Sequence, residues 1–128
     1  MQNTTANPVP REGRATGSLW LFQGLTGGLL ILVLGLHMVA QHFVVKGGLR
    51  DFAQVLTYVS NPLIFAIELV FLLVVTIHAV LGLRAIIVDL NPSEGLLKAV
   101  SWILALLGTG AFAYGVWLAL VLQSMARS

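Results

Sequence analysis

Residues 62–88 read PLIFAIELVFLLVVTIHAVLGLRAIIV, an apolar run in which the polar or charged side chains are Glu68, Thr76, His78 and Arg84. A surface helix of a water-soluble domain keeps its apolar residues on one stripe. Here they fall on every face, and the run exceeds the roughly 20 residues that cross a bilayer's hydrocarbon core. It therefore reads as a transmembrane helix. Two more runs of the same kind flank it, from about Leu19 to Val45 and from about Leu96 to Leu122.

Composition agrees. Of 128 residues, 58% are hydrophobic and 9% charged, and mean hydropathy is +0.94. Soluble domains carry about 25% charged residues, so a water-soluble fold of this length is excluded. The expected fold class is an all-α membrane protein with three transmembrane helices in a single domain. The chain has no cysteine, which excludes disulfides and thiolate metal sites. Its net charge of +2 is spread without a basic run, so nucleic acid is not an expected partner.

The segments between the runs carry the expected punctuation. The tail Met1–Ser18 is polar and holds Pro8, Pro10, Gly13 and Gly17. It lacks a signal peptide's apolar core and cleavage site, so it is expected to stay in the mature chain. The first loop holds Lys46, Gly47, Gly48, Arg50 and Asp51, and Phe52–Ser60 reads as a short interfacial helix with Tyr58 at headgroup level. Asn61-Pro62 reads as a cap with proline in the first turn. The second loop, residues 89–94 (DLNPSE), is short, so spans two and three should be antiparallel neighbours, with Ser93 as a cap. Trp20, Trp102 and Trp117 sit near span ends, as interfacial aromatics do. Arg11, Arg14, Arg84 and Lys98 collect on one side, against Lys46, Arg50 and Arg127 on the other. By the positive-inside rule that margin leans towards a cytoplasmic N-terminus.

Ionisable groups at membrane depth are costly and usually face the bundle interior. With a rise of about 1.5 Å per residue, His37 lies roughly 27 Å in from the N-terminal side, here called the near side. His42 lies further, at the far interface. On the returning second span, His78 falls roughly 15 Å from the near side and Glu68 roughly 30 Å in, level with His37 and His42. A mid-membrane histidine admits two readings. It can hydrogen-bond between helices, for about 0.6–2 kcal/mol, or its neutral imidazole can be an axial ligand to haem iron. No helix-spaced ligand pair lies on one helix, so a bis-histidine haem needs another helix or another chain. The glycines of span one (Gly24, Gly27, Gly28, Gly35) and of span three (Gly108, Gly110, Gly115) suit close helix packing. Gly27 and Gly28, near the depth of His78, also leave room for a flat macrocycle.

Residues 78–89, HAVLGLRAIIVD, resemble the second-helix signature of the membrane anchor subunits of succinate dehydrogenase and fumarate reductase: a histidine, then glycine-leucine-arginine, then an aspartate at the helix end. Residues 18–27, SLWLFQGLTG, with the apolar run to His37, resemble the first helix of the same subunits. The resemblance covers about residues 18–122. It implies a non-catalytic subunit that pairs with a second hydrophobic anchor into one helical bundle and holds the flavoprotein and iron–sulfur subunits at the cytoplasmic membrane, where electrons from succinate reach quinone. It implies haem b between the anchors, with His78 as its ligand from this chain. In members with two haems a histidine late in helix one is also a ligand, and His37 occupies that position. Arg84 would support haem propionates or the near-side interface. The depths of His37 and His78 differ by about 12 Å, which suits two stacked haems.

Two positions depart from the family pattern. Many members carry an arginine where this chain has Gly24, and a tyrosine where it has Leu90. Both serve a near-side quinone pocket, so the partner anchor should hold most quinone contacts, or the quinone should bind on the far side. Gln23, Thr26 and Asp89 remain pocket candidates. Glu68 has no counterpart in the resemblance and is read, with His42, as a proton path or as a structural hydrogen bond. A haem-free structural anchor and an unrelated small membrane protein are the alternatives.

Overall fold

The structure, a computed structural model, describes residues 11–44, 47 and 51–127, with side chains over 17–43, 47 and 51–127. The tail through Pro10, and Val45, Lys46, Gly48 and Arg50 of the first loop, lie outside the described residues. These form four helices: α1 (Arg11–Val44), α2 (Phe52–Ser60), α3 (Pro62–Asp89) and α4 (Glu94–Arg127). No strand occurs among them. Three are long and apolar enough to cross a membrane, over Gly17–Phe43, Pro62–Asp89 and Glu94–Arg127. The chain is therefore a multi-pass, all-helical membrane protein.

Two helices outrun their apolar stretches. α1 is helical from Arg11, where a polar tail was expected to Ser18, and α4 continues five residues beyond Leu122. A nucleated helix gains one hydrogen bond per residue added, and nothing after Gly115 breaks the last turns of α4.

The short elements are set by their caps. Asp51 accepts from the Gln54 amide at 2.8 Å, and the Gln54 side chain accepts from the Asp51 amide at 3.3 Å, a capping box that starts α2. The Asn61 side chain accepts from Leu63 and Ile64 amides at 2.9 and 3.4 Å, and Pro62 follows it in the first turn of α3. α3 ends where Asn91 takes φ 50, a left-handed conformation that asparagine tolerates, and Pro92 prevents continuation. The Ser93 hydroxyl accepts from the Leu96 amide at 3.4 Å and opens α4.

α3 is the central helix, packed on α1 along one side and on α4 along another, while α2 rests on α4 and α3. Small residues permit the α3–α4 approach. A Cβ on Gly108 would lie 2.5 Å from Val80 Cγ2, and one on Gly115 would lie 2.7 Å from Leu72 Cδ2. Gly24, Gly28, Gly35 and Gly110 face open space instead, so the close-packing reading does not extend to them. α4 buries no residue within the chain.

Tyr58 of the interfacial helix is turned inward: it is 2% exposed and packs with Val59 and Ile64. Tyr58 points inward because its hydroxyl finds a buried partner there, as a sequestered phenol must.

Candidate functional site

Polar side chains converge at three levels between the helices. At the middle level α3 presents His78 to α1. The Thr26 hydroxyl, 8% exposed, donates to the Gln23 carbonyl at 3.0 Å. Its oxygen thus faces His78 Nδ1, 3.3 Å away, as an acceptor. That partner assigns the proton to Nδ1 and leaves the lone pair on Nε2. A Cβ on Gly27 would lie 3.2 Å from His78 Cε1, so glycine there lets the ring lie against the α1 backbone. Gly28 faces open space, with no neighbour within 4 Å.

At the far level α1 and α3 join through His37 and Glu68. His37 Nδ1 lies 2.7 Å from both Glu68 oxygens. The side chains are 16% and 22% exposed. Tyr58 on α2 donates its hydroxyl to Glu68 Oε1 at 2.6 Å. Burial, and then the carboxylate it faces, push the Tyr58 phenol well above its ordinary range, so it remains a donor. The His37 ring stacks on Phe71, with centroids 4.8 Å apart. The Gln41 amide donates to His37 Nε2 at 2.9 Å, which marks Nε2 as the nitrogen carrying the lone pair.

At the near level Gln23, Arg84 and Asp89 line a cleft of about 170 Å³ with Trp20 and Leu19. Gln23 Oε1 is buried without a hydrogen-bond partner among the described residues. On its other side Arg84 donates from Nε to Ser101 Oγ at 3.3 Å and borders an open cavity of about 510 Å³ with Glu94, Lys98 and Trp102.

Glu68 and His37 stand at one level, as helix rise implied. Thr26, which marks the level of His78 on α1, precedes His37 by 11 residues, about 16 Å along the axis. Two expected groupings differ. His42 is exposed, with its ring against Phe43, and the bonds of Glu68 run to His37 and Tyr58 instead. A chain that ends its span at Val44 carries His42 out past the carboxylate. Thr26 serves His78 and does not line the near-side cleft. The sequence reading placed Tyr58 on the interfacial helix without joining it to this site, and it named neither Gln41 nor Phe71. Only Gln41 left a signal, its spacing of four residues from His37 on one helix face.

No three His, Asp or Glu side chains converge as a metal cage among the described residues. An imidazole here would serve iron as one ligand, with the others supplied from elsewhere. His78 suits that task as it stands, with Nδ1 held by Thr26 and the lone pair on Nε2, whereas the Nε2 lone pair of His37 is taken by the Gln41 amide.

The family described as succinate dehydrogenase/fumarate reductase transmembrane subunit matches residues 2–113. A succinate dehydrogenase hydrophobic membrane anchor subunit of Archaeoglobus fulgidus is 38% identical over 99 residues, which is 77% of this chain and 84% of that protein. One of Thermoplasma acidophilum is 31% identical over 110 residues, 85% of this chain and 89% of that protein. No solved structure matches the chain. With three apolar spans, and with the family's pattern matched over most of its length, the chain belongs to the transmembrane subunits of succinate dehydrogenase and fumarate reductase.

Proposed function

We propose that this chain is a membrane anchor that binds haem b through His78 and His37 and helps pass electrons from an iron–sulfur subunit to quinone, at the junction of the tricarboxylic acid cycle and the respiratory chain. The observation that carries the reading is the state of His78. Its Nδ1 is tied back to Thr26 on α1, its ring is seated on Gly27, and its Nε2 has no protein partner among the described residues. Metal-binding histidines are held in this way through the nitrogen that does not ligate. His37 follows the same pattern, with Glu68 on Nδ1, and its Nε2 becomes available when the Gln41 amide turns aside. When bound, haem b supplies one-electron transfer between the iron–sulfur centres and the quinone. The chain's residues orient the two ligands and keep the surroundings apolar.

A second hydrophobic subunit would supply the remaining iron ligands and complete the bundle over the faces that α1, α3 and α4 leave open. A flavoprotein subunit completes the complex beside the iron–sulfur subunit. Arg84 neutralises propionates or anchors the near side. Gln23 and Asp89 are the near-side quinone contacts; the orphaned Gln23 Oε1 is an acceptor for a quinol hydroxyl. The chain sits in the cytoplasmic membrane with its N-terminus in the cytoplasm.

The test is haem per complex and the reduced-minus-oxidised spectrum of the purified assembly. His78→Ala removes one b-type haem and His37→Ala a different one. A complex with no b-type spectrum identifies a haem-free anchor. An unchanged spectrum in His78→Ala removes that ligand assignment.

A further inference from the structure

His78 and His37 are backed by chemically different acceptors. Behind His78 stands a neutral hydroxyl at 3.3 Å. Behind His37 stands a carboxyl group at 2.7 Å, reached by both oxygens. Hydrogen bonds with an ionised partner are shorter and roughly twice as strong as neutral ones. An acidic side chain inside a membrane span is also expensive to keep, so a merely structural link between α1 and α3 would be made more cheaply by a hydroxyl, as at Thr26.

The geometry points to Glu68 as a positioning residue that sets the orientation and the donor strength of His37, and through it the reduction potential of the group bound there. This rests on His37 being a haem ligand, as proposed above. Four observations support it. Glu68 meets Nδ1 and so stands behind the ring, leaving Nε2 as the nitrogen for iron. Phe71 stacks on one ring face and stops the imidazole from tilting. Tyr58 donates to Glu68 Oε1 at 2.6 Å and, at 2% exposure, is itself fixed. Tyr58 is carried by α2, whose register is set at both ends, by the Asp51–Gln54 box and by Asn61.

Rigid caps thus place α2, α2 places Tyr58, Tyr58 places the Glu68 carboxyl, and that group places His37. A carboxylate that accepts from Nδ1–H pulls its proton and makes Nε2 a stronger donor. A stronger axial donor favours the oxidised metal and lowers the potential. Nothing equivalent backs His78, so the effect belongs to the His37 level.

The experiment uses the complete complex, purified with its partner subunits. Redox titration followed optically, low-temperature EPR of the ferric low-spin signals and haem per complex are measured. The His37 component is identified as the one that His37→Ala removes. Glu68→Gln, which keeps an acceptor but loses the charge, retains the haem and raises the potential of that component alone. Glu68→Ala also broadens its EPR signal, because the ring is no longer held. Tyr58→Phe gives a smaller upward shift, and it carries the same test if Glu68→Gln does not assemble. If His37→Ala removes a haem but Glu68→Gln and Tyr58→Phe move neither potential nor EPR signal, the positioning role is overturned and the ligand assignment stands. If His37→Ala leaves haem content and spectrum unaltered, the ligand assignment fails, and the positioning role with it.

Discussion

Gly27→Ala separates the fit of the His78 site from the stability of the helices. A Cβ there lies 3.2 Å from His78 Cε1 and 3.7 Å from Nδ1. An ordinary carbon–carbon contact begins near 3.5 Å, so the ring must retreat by a few tenths of an ångström. The bond from Nδ1 to Thr26, at 3.3 Å, is already at the long end of the hydrogen-bond range. The same retreat therefore breaks it, at a cost of about 0.5–1.5 kcal/mol. Alanine meanwhile favours the helix over glycine by up to about 1 kcal/mol. The two effects nearly cancel in unfolding stability. They do not cancel at the proposed haem, where loss of the acceptor behind a ligating histidine would cost about 10–100-fold in affinity. Gly28→Ala is the control, because its Cβ meets nothing within 4 Å. The assay is haem retention of the purified complex against a haem-scavenging apoprotein, with thermal unfolding in detergent measured in parallel. Gly27→Ala should lose the haem proposed at His78 at least severalfold faster at little change in melting temperature, and Gly28→Ala should match the parent in haem retention. Equal retention in all three proteins would falsify the account of how α1 seats the ring.

Gly108→Ala places a Cβ 2.5 Å from Val80 Cγ2, on a β-branched side chain that turns poorly. It should destabilise α3–α4 packing by about 1–2 kcal/mol net of helix propensity, while Gly110→Ala, whose Cβ meets nothing within 4 Å, holds stability or gains up to about 1 kcal/mol; chemical denaturation in mixed micelles measures both, and equal stabilities refute the packing. Tyr58→Phe removes a bond of 2.6 Å to a half-buried acid and should cost about 1–3 kcal/mol. Because the folded state raises the phenol's pKa, the contribution of Tyr58 is complete below its unfolded value of about 10 and declines as pH rises above it. The parent should therefore lose more melting temperature than Tyr58→Phe between about pH 9 and 11, and parallel curves contradict the burial. Gln23→Leu removes a buried oxygen that lacks a partner, so stability should hold or rise. The KM for quinone should rise while succinate oxidation by an artificial dye stays unchanged; an unaltered KM takes Gln23 out of the quinone site.

Much of this arrangement was legible before any coordinates. The three spans follow from runs such as 62–88, whose apolar residues leave no polar face. The alignment of Glu68 with His37 follows from helix rise alone, because both helices start at recognisable interfaces and run antiparallel. What depth does not give is azimuth. Glu68 was equally level with His37 and His42, and only the rotation of α1 selects the former and sends the latter outward. Tyr58 was read as an interfacial aromatic because it lies on a short helix at the membrane edge. Its inward turn depends on the angle at which α2 leaves the Asn61 cap, which no periodicity records. Thr26 suggested a pocket group, and its pairing with His78 needed the lateral register of α1 against α3. The longer reach of α1 and α4 was hidden because polar residues beyond the hydrocarbon carry no hydropathy signal.

The bareness of α4, which buries no side chain within its own chain, has a consequence for biogenesis. In water such a helix would drive immediate aggregation. Among lipid tails its apolar face is already in a compatible solvent, because nothing hydrophobic separates a leucine from an acyl chain. Insertion and assembly are thereby uncoupled in time. The newly made chain can enter the bilayer as an independent hairpin-and-a-half and persist there, with its association deferred until a subunit of matching surface diffuses alongside. The rate at which this anchor joins its complex then follows lateral encounter in the bilayer rather than the order of release from the ribosome.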